Sequence, residues 1–161
     1  MIAAFGRVLP PVLATRGYRE VWLGSLASNA GSWLQIVASG WLIFQLTDSA
    51  AAVGVLALMA RGPSILLAGP AGRVADRFDR RTVGLATFAL QAVAALALAL
   101  ATWAGLASVT VIYLLTLALW SGFALGLPAM LALIPLLVPT TQFSQAVTVN
   151  AAGINVARLV G

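Results

Sequence analysis

The chain has 161 residues, 61% of them hydrophobic and only 8% charged, where an ordinary soluble domain carries about a quarter charged residues, so the composition is that of a membrane protein. All nine basic residues behind the net charge of +5 are Arg; most sit beside apolar runs, so the charge reads as positive-inside topology and not as a nucleic-acid face. Cys and His are absent, which removes disulfides, thiol catalysis, the usual zinc ligands and the usual general base, so neither an enzyme nor a cofactor is expected.

Residues 1–20 hold Arg7, Arg16, Arg19 and the pair Pro10-Pro11 ahead of any long apolar run. The run that follows is longer than the roughly 7 to 15 residues of a signal-peptide core, so 1–20 is read as a cytoplasmic leader on the membrane surface. Crossing roughly 30 Å of hydrocarbon takes about 20 mainly apolar residues. Four segments qualify, near 21–46, 52–71, 82–103 and 109–138, and a fifth helix starts near 144 and is still running at 161. The expected fold class is an all-α membrane protein with four transmembrane helices plus the start of a fifth.

At about 100° per residue, Ser25, Ser28, Asn29, Ser32, Gln35 and Ser39 of the first span share one sector, while Trp33, Trp41, Leu42 and Phe44 lie off it. Small hydroxyls and amides on one stripe either tie helices together across lipid or line a water-filled cavity. The pattern alone does not choose between them. The second span contains Arg61, followed by Gly62 and Pro63. A mid-membrane Arg costs about 2.5 kcal/mol or more, so it is expected to face a cavity or a partner, or to pair structurally beside a kink at Pro63.

Between the second and third spans, residues 72–81 hold six of the thirteen charged residues: Arg73, Asp76, Arg77, Asp79, Arg80 and Arg81. They read as a short solvated loop of defined shape with internal ion pairs. The third span is rich in Ala and Leu, with Gln91 near its middle as a satisfied amide in a packing helix. The fourth has Gly122 and Gly126 at the spacing that lets backbones approach closely, then Pro128 and Pro135, which predict a bent helix beside a cavity. Ser121 beside Gly122 has no His to activate it as a nucleophile and reads as packing. In the fifth helix Thr148, Asn155 and Arg158 fall within about 80° of one another, a second polar stripe.

The leader and the 72–81 segment hold seven Arg between them, whereas the turns at 47–49 and 105–108 hold none. That asymmetry predicts a cytoplasmic N-terminus and a multi-pass protein of the cell (inner) membrane.

The segment Gly72, Asp76, Arg77, Arg80, Arg81 resembles the cytoplasmic loop between helices two and three of the major facilitator superfamily: Gly, three residues, Asp, a basic residue, any residue, Gly, two basic residues. Asp79 stands where that pattern has Gly, and Asp tolerates left-handed backbone better than most residues. The run from Ala75 to Arg81 is similar to the efflux branch that includes enterobactin and macrolide exporters. So are Trp22, Gly24, Ser28, Gly31, Trp33, Gln35, Val37-Ala38 and Trp41-Leu42 in the first span, Pro128-Ala129, Pro135 and Val138-Pro139 in the fourth, and Asn150, Asn155, Ala157-Arg158 and Gly161 in the fifth.

The resemblance implies twelve helices in two six-helix halves, each of inverted three-helix repeats, with the substrate site between the halves near the midplane. Residues 21–161 are then an incomplete N-terminal half whose partners are a small-molecule substrate, the lipid bilayer and the missing C-terminal half. The resemblance further implies a secondary active exporter of drugs, siderophores or similar amphipathic molecules, working by alternating access with proton exchange. Ser28, Asn29, Ser32, Gln35 and Arg61 would contact substrate or organise the cavity, Asn155 and Arg158 would form the polar face of helix five, and Gly72, Asp76, Arg77, Arg80 and Arg81 would gate. The alternatives are a truncated membrane fragment without transport of its own and a lysophospholipid flippase of the same superfamily.

Overall fold

A computed structural model describes residues 10–160. The first nine residues of the expected leader, Arg7 among them, and Gly161 lie outside the described residues. A 3₁₀ turn at Pro11–Ala14 leads into α1 (Arg16–Thr47), followed by α2 (Ala50–Leu66), α3 (Ala68–Arg77), α4 (Arg80–Trp103), α5 (Val109–Leu137), a 3₁₀ turn at Thr140–Gln142 and α6 (Phe143–Val160). Among the described residues there is no strand. By length and composition α4 and α5 can each cross a membrane, and α2 with α3 qualifies as one broken span bent by 51°. That makes two spans, or three with the bent pair. The helices with polar stripes, α1 and α6, are not among them, because Ser, Asn, Gln and Arg dilute their apolar content.

The segment expected to be a loop is mostly helix. Gly72, Asp76 and Arg77 lie on α3, and Arg80 and Arg81 open α4. Ala71 and Ala75 are buried while Arg73, Asp76 and Arg77 are exposed, so the charge that looked like a loop is the wet side of a short amphipathic helix. A bend of 51° falls between α2 and α3, while α5 runs as one unbroken helix through Pro128 and Pro135. Pro70 has no N–H to offer the Leu66 carbonyl, and its ring would strike it. The helix accordingly breaks at Leu67 (φ −95°, ψ 0°) and restarts with Pro70 in the first turn of α3, where a missing donor is tolerated.

Asp79 does not use left-handed backbone. At φ −58° and ψ 123° it caps α4, accepting from the Thr82 N–H at 2.8 Å and the Thr82 hydroxyl at 2.9 Å. Left-handed backbone is used instead at Asp48 (φ 48°), which turns the chain out of α1 before Ser49 caps α2.

The chain divides into two compact units. One comprises residues 34–131. Ile43, Leu56, Leu98 and Ile112 form its core near one end, joining α1, α2, α4 and α5; Ala60, Ala94, Leu119 and Trp120 form a second layer, and Ala75, Val83 and Ala129 bring in α3. The Tyr113 hydroxyl donates to the Ala52 carbonyl at 2.8 Å. Gly122 and Gly126 of α5 face Thr87 and Gln91 of α4. A methyl built at Gly126 would lie 2.5 Å from Thr87 Oγ1, so the close approach expected of this pair is made against α4.

The other unit comprises residues up to 33 and from 132 on. Val12, Leu13 and Tyr18 pack with Ile134, Val138 and Ala146, so what was read as a surface leader contributes a core here. Its last residues, from Arg16, already belong to α1.

Candidate functional site

In the unit of the chain ends, α1 and α6 run side by side in the same direction, matched turn by turn. The Tyr18 hydroxyl donates to the Ala146 carbonyl at 2.7 Å and Trp22 Nε1 to the Val149 carbonyl at 3.2 Å. Gly153 faces the Trp22 ring so closely that an added methyl would lie 2.9 Å from Nε1. Further along, Ser25, Leu26 and Asn29 meet Asn150, Gly153 and Ile154 across a cleft of about 160 Å³ with no room for water. Beyond it the Arg158 guanidinium sits over the Trp33 ring, 4.9 Å from its centre.

The polar side chains of this seam bond along their own helices. Asn29 Nδ2 donates to the Ser25 carbonyl at 2.8 Å, Ser32 to Ser28 at 2.9 Å and Asn155 Nδ2 to Ala151 at 3.0 Å. The ties between helices are aromatic donors on backbone carbonyls, a role composition did not reveal. An aromatic face is worth about 0.5–2 kcal/mol to a guanidinium.

In the unit of residues 34–131, the second half of α1 and the end of α4 enclose a hollow of about 600 Å³, within the range of small-molecule sites. Its polar lining is Gln35, Ser39, Gln45 and Thr102, and its apolar lining includes Leu42, Leu98, Trp41 and Trp103. No charged residue lines it. Of the expected cavity residues only Gln35 reaches this hollow, and only Asn29 reaches the α1–α6 cleft; Ser28 and Ser32 pair with each other, and Arg61 is exposed on α2. Gln45, Thr102 and Trp103 were missed because they stand at helix ends off the periodic stripe. Their signal was the presence of Trp and an amide near the ends of long apolar runs.

The expected gating residues share one short stretch. Asp76 and Arg77 are exposed on α3 beside Arg81 at the start of α4. Hydrogen bonds from the Thr82 backbone and side chain, helped by Arg81, hold the Asp79 carboxyl below the usual carboxylate range.

Residues 9–161 match the family model described as a transmembrane secretion effector. No curated protein and no solved structure matches the chain. The family match takes in all six helices and the charged turn between α3 and α4, and the chain belongs to the transmembrane secretion effector family of the major facilitator superfamily.

Proposed function

We propose that the chain is part of a secondary active transporter that exports amphipathic small molecules, drugs or siderophores among them, across the cell membrane by alternating access. The observation that carries this reading is the family match over residues 9–161. In this reading α1 and α6 cross the membrane together with α4, α5 and the bent α2–α3 pair, the N-terminus is cytoplasmic, and the cavity is closed by helices of a second half. The uncharged polar lining of the hollow between α1 and α4, with Trp41 and Trp103 beside it, supports a substrate with an apolar body.

Asp76, Arg77, Arg80 and Arg81 act as the gate. They lie where α3 meets α4, and an anion set against a helix N-terminus of the opposite half gains about 0.3–1 kcal/mol, a contact that rocking of the halves would make and break. Export is driven by proton exchange. The four acidic residues Glu20, Asp48, Asp76 and Asp79 all stand near helix ends or between helices, so the proton-carrying carboxylate belongs to the part of the transporter outside residues 1–161.

The test is export from cells carrying the full reading frame, followed as accumulation of a fluorescent dye and of a macrolide panel. Asp76→Asn is expected to raise accumulation several-fold with membrane insertion unchanged. Export at the parent rate in that variant would remove the gating role, and no export by the parent of any compound would remove the transport reading.

A further inference from the structure

We propose that α3 is a pivoting strut, a short rigid helix between joints at Leu67 and Phe78 that lifts its buried edge off α4 and α5 as the gate works. This deepens the gating role of Asp76 and Arg77 by naming the moving part that carries them, and its purpose rests on that reading.

The first joint follows from two prolines. Pro63 has no N–H for the Met59 carbonyl and Pro70 has none for the Leu66 carbonyl, so the helical ladder is interrupted on both sides of the break. The backbone bonds that cross from α2 into α3 run from the Leu67 N–H to the Pro63 carbonyl at 2.8 Å and from the Ala71 N–H to the Leu67 carbonyl at 2.7 Å. Both pass through Leu67, which stands at φ −95° and ψ 0° where the two helices meet at 51°. One residue carries the connection and can absorb a change of angle between them.

The second joint is Phe78, in extended backbone at φ −114° and ψ 158°. The residue after it is held: Asp79 caps α4 through the Thr82 N–H at 2.8 Å, and its carbonyl accepts from the Val83 N–H at 3.0 Å. A turn of α3 is therefore taken up in the backbone angles of residues at element ends, as in a hinge, without bending a helix.

Between the joints α3 docks through methyl groups. Ala71 and Ala75 are its buried residues, and Ala75 packs with Val83 of α4 and Ala129 of α5. A methyl makes only a few of the roughly 40 to 60 atomic contacts of a buried Leu, so this docking is shallow and easily undone. The opposite face carries Arg73, Asp76 and Arg77. Ala75 lies eight residues from Leu67, about 12 Å at about 1.5 Å per residue, so a swing of about 20° carries it about 4 Å and opens its contact to water.

Because the sequence has no Cys, single introduced thiols report that opening. The full reading frame is placed in phosphatidylcholine nanodiscs and reacted with a water-soluble maleimide. Ala75→Cys and Ala129→Cys, at positions 6% and 0% exposed, are expected to label at a common rate, slower than Arg73→Cys on the exposed face. Ala146→Cys, at a position 0% exposed in the other unit, should stay unlabelled. Pro70→Ala returns a donor to the Leu66 carbonyl and should slow labelling at both contact positions about tenfold, with Arg73→Cys unchanged. Should Pro70→Ala fail to insert, Gly69→Ala, where nothing lies within 4 Å of the added methyl, stiffens the same joint and should slow labelling about threefold. Protection of both contact positions in the parent, or labelling that neither joint variant slows, overturns the strut. Labelling of Ala146→Cys at the same rate also overturns it, since the whole fold would then be opening. Joint-dependent labelling without export in cells keeps the strut and removes the transport reading, and export with Ala75→Cys protected overturns the strut alone.

Discussion

Gly126→Ala tests the contact on which α4 and α5 are packed. The added methyl would lie 2.5 Å from Thr87 Oγ1 and 3.1 Å from Thr87 Cβ, the first about 1 Å inside ordinary contact. The hydroxyl cannot swing away cheaply, because it donates to the Val83 and Gly84 carbonyls at 2.9 and 3.0 Å, and rotating χ1 of a β-branched residue brings another heavy atom towards the same space. Overpacking of this kind costs about 1–3 kcal/mol, against a gain in helix propensity of up to about 1 kcal/mol. A net loss of roughly 1–2 kcal/mol is therefore expected. Reversible unfolding in detergent, followed by tryptophan fluorescence, measures it, since Trp120 is buried on α5 nearby in sequence. Thr87→Ala removes Oγ1, so the double variant should recover most of the loss and show a coupling of about 1 kcal/mol or more. Gly54→Ala, where nothing lies within 4 Å of the added methyl, is the control and should be neutral or stabilising. A Gly126→Ala variant as stable as the control would refute close approach of the two helices.

Gly153→Ala should loosen the α1–α6 seam, since its methyl would lie 2.9 Å from Trp22 Nε1 and displace that donor from the Val149 carbonyl. About 1–3 kcal/mol for overpacking plus about 1 kcal/mol for the hydrogen bond is expected, read as a lower unfolding midpoint and a shifted tryptophan emission. Asp79 carries a pH signature. Its folded pKa is depressed, so its support of the first turn of α4 is complete above the unfolded carboxylate pKa and is lost as pH falls through the lower folded value. Amide exchange at Thr82 and Val83 should accelerate, relative to other α4 amides, over that acidic window in the parent and not in Asp79→Asn, which keeps the cap without the titration; identical profiles would refute the assignment.

What could be read in advance followed from one-dimensional periodicity. Gly122 and Gly126 announced a close helix contact by spacing alone, and Thr87 and Gln91 supply the other side. The charged stretch at 72–81 was misjudged because charge density is a loop signal only where no apolar edge accompanies it, and the edge here is made of Ala71 and Ala75, whose small side chains barely register in hydropathy. Pro70 stands at a break between helices, whereas α5 continues through Pro128 and Pro135. The difference is positional, since a proline breaks a helix only where the ladder it interrupts has nothing else to hold it. The seam between α1 and α6 was not legible at all, because pairing Tyr18 with Ala146 and Trp33 with Arg158 requires a register across more than a hundred residues of chain.

The stripe on α1 left two roles open, glue between helices or lining of a wet cavity, and the hydrogen bonds bear on that choice. A hydroxyl or amide that ties helices together donates across the gap, whereas Asn29, Ser32 and Thr47 each donate to the carbonyl one turn back on α1 itself. The cross-helix ties belong instead to Tyr18, Trp22 and Tyr113, which reach backbone carbonyls with a long rigid arm. Backbone carbonyls are fixed by the helix and present whichever residue stands there, so an aromatic donor sets the helix register without needing a matched polar partner. Satisfied within α1, Asn29 and Ser32 add no unpaired donor to an apolar core, yet each keeps a lone pair or a second amide hydrogen for water or a ligand. In that division of labour Asn29 and Ser32 donate within α1, and the seam between α1 and α6 is held by Tyr18 and Trp22.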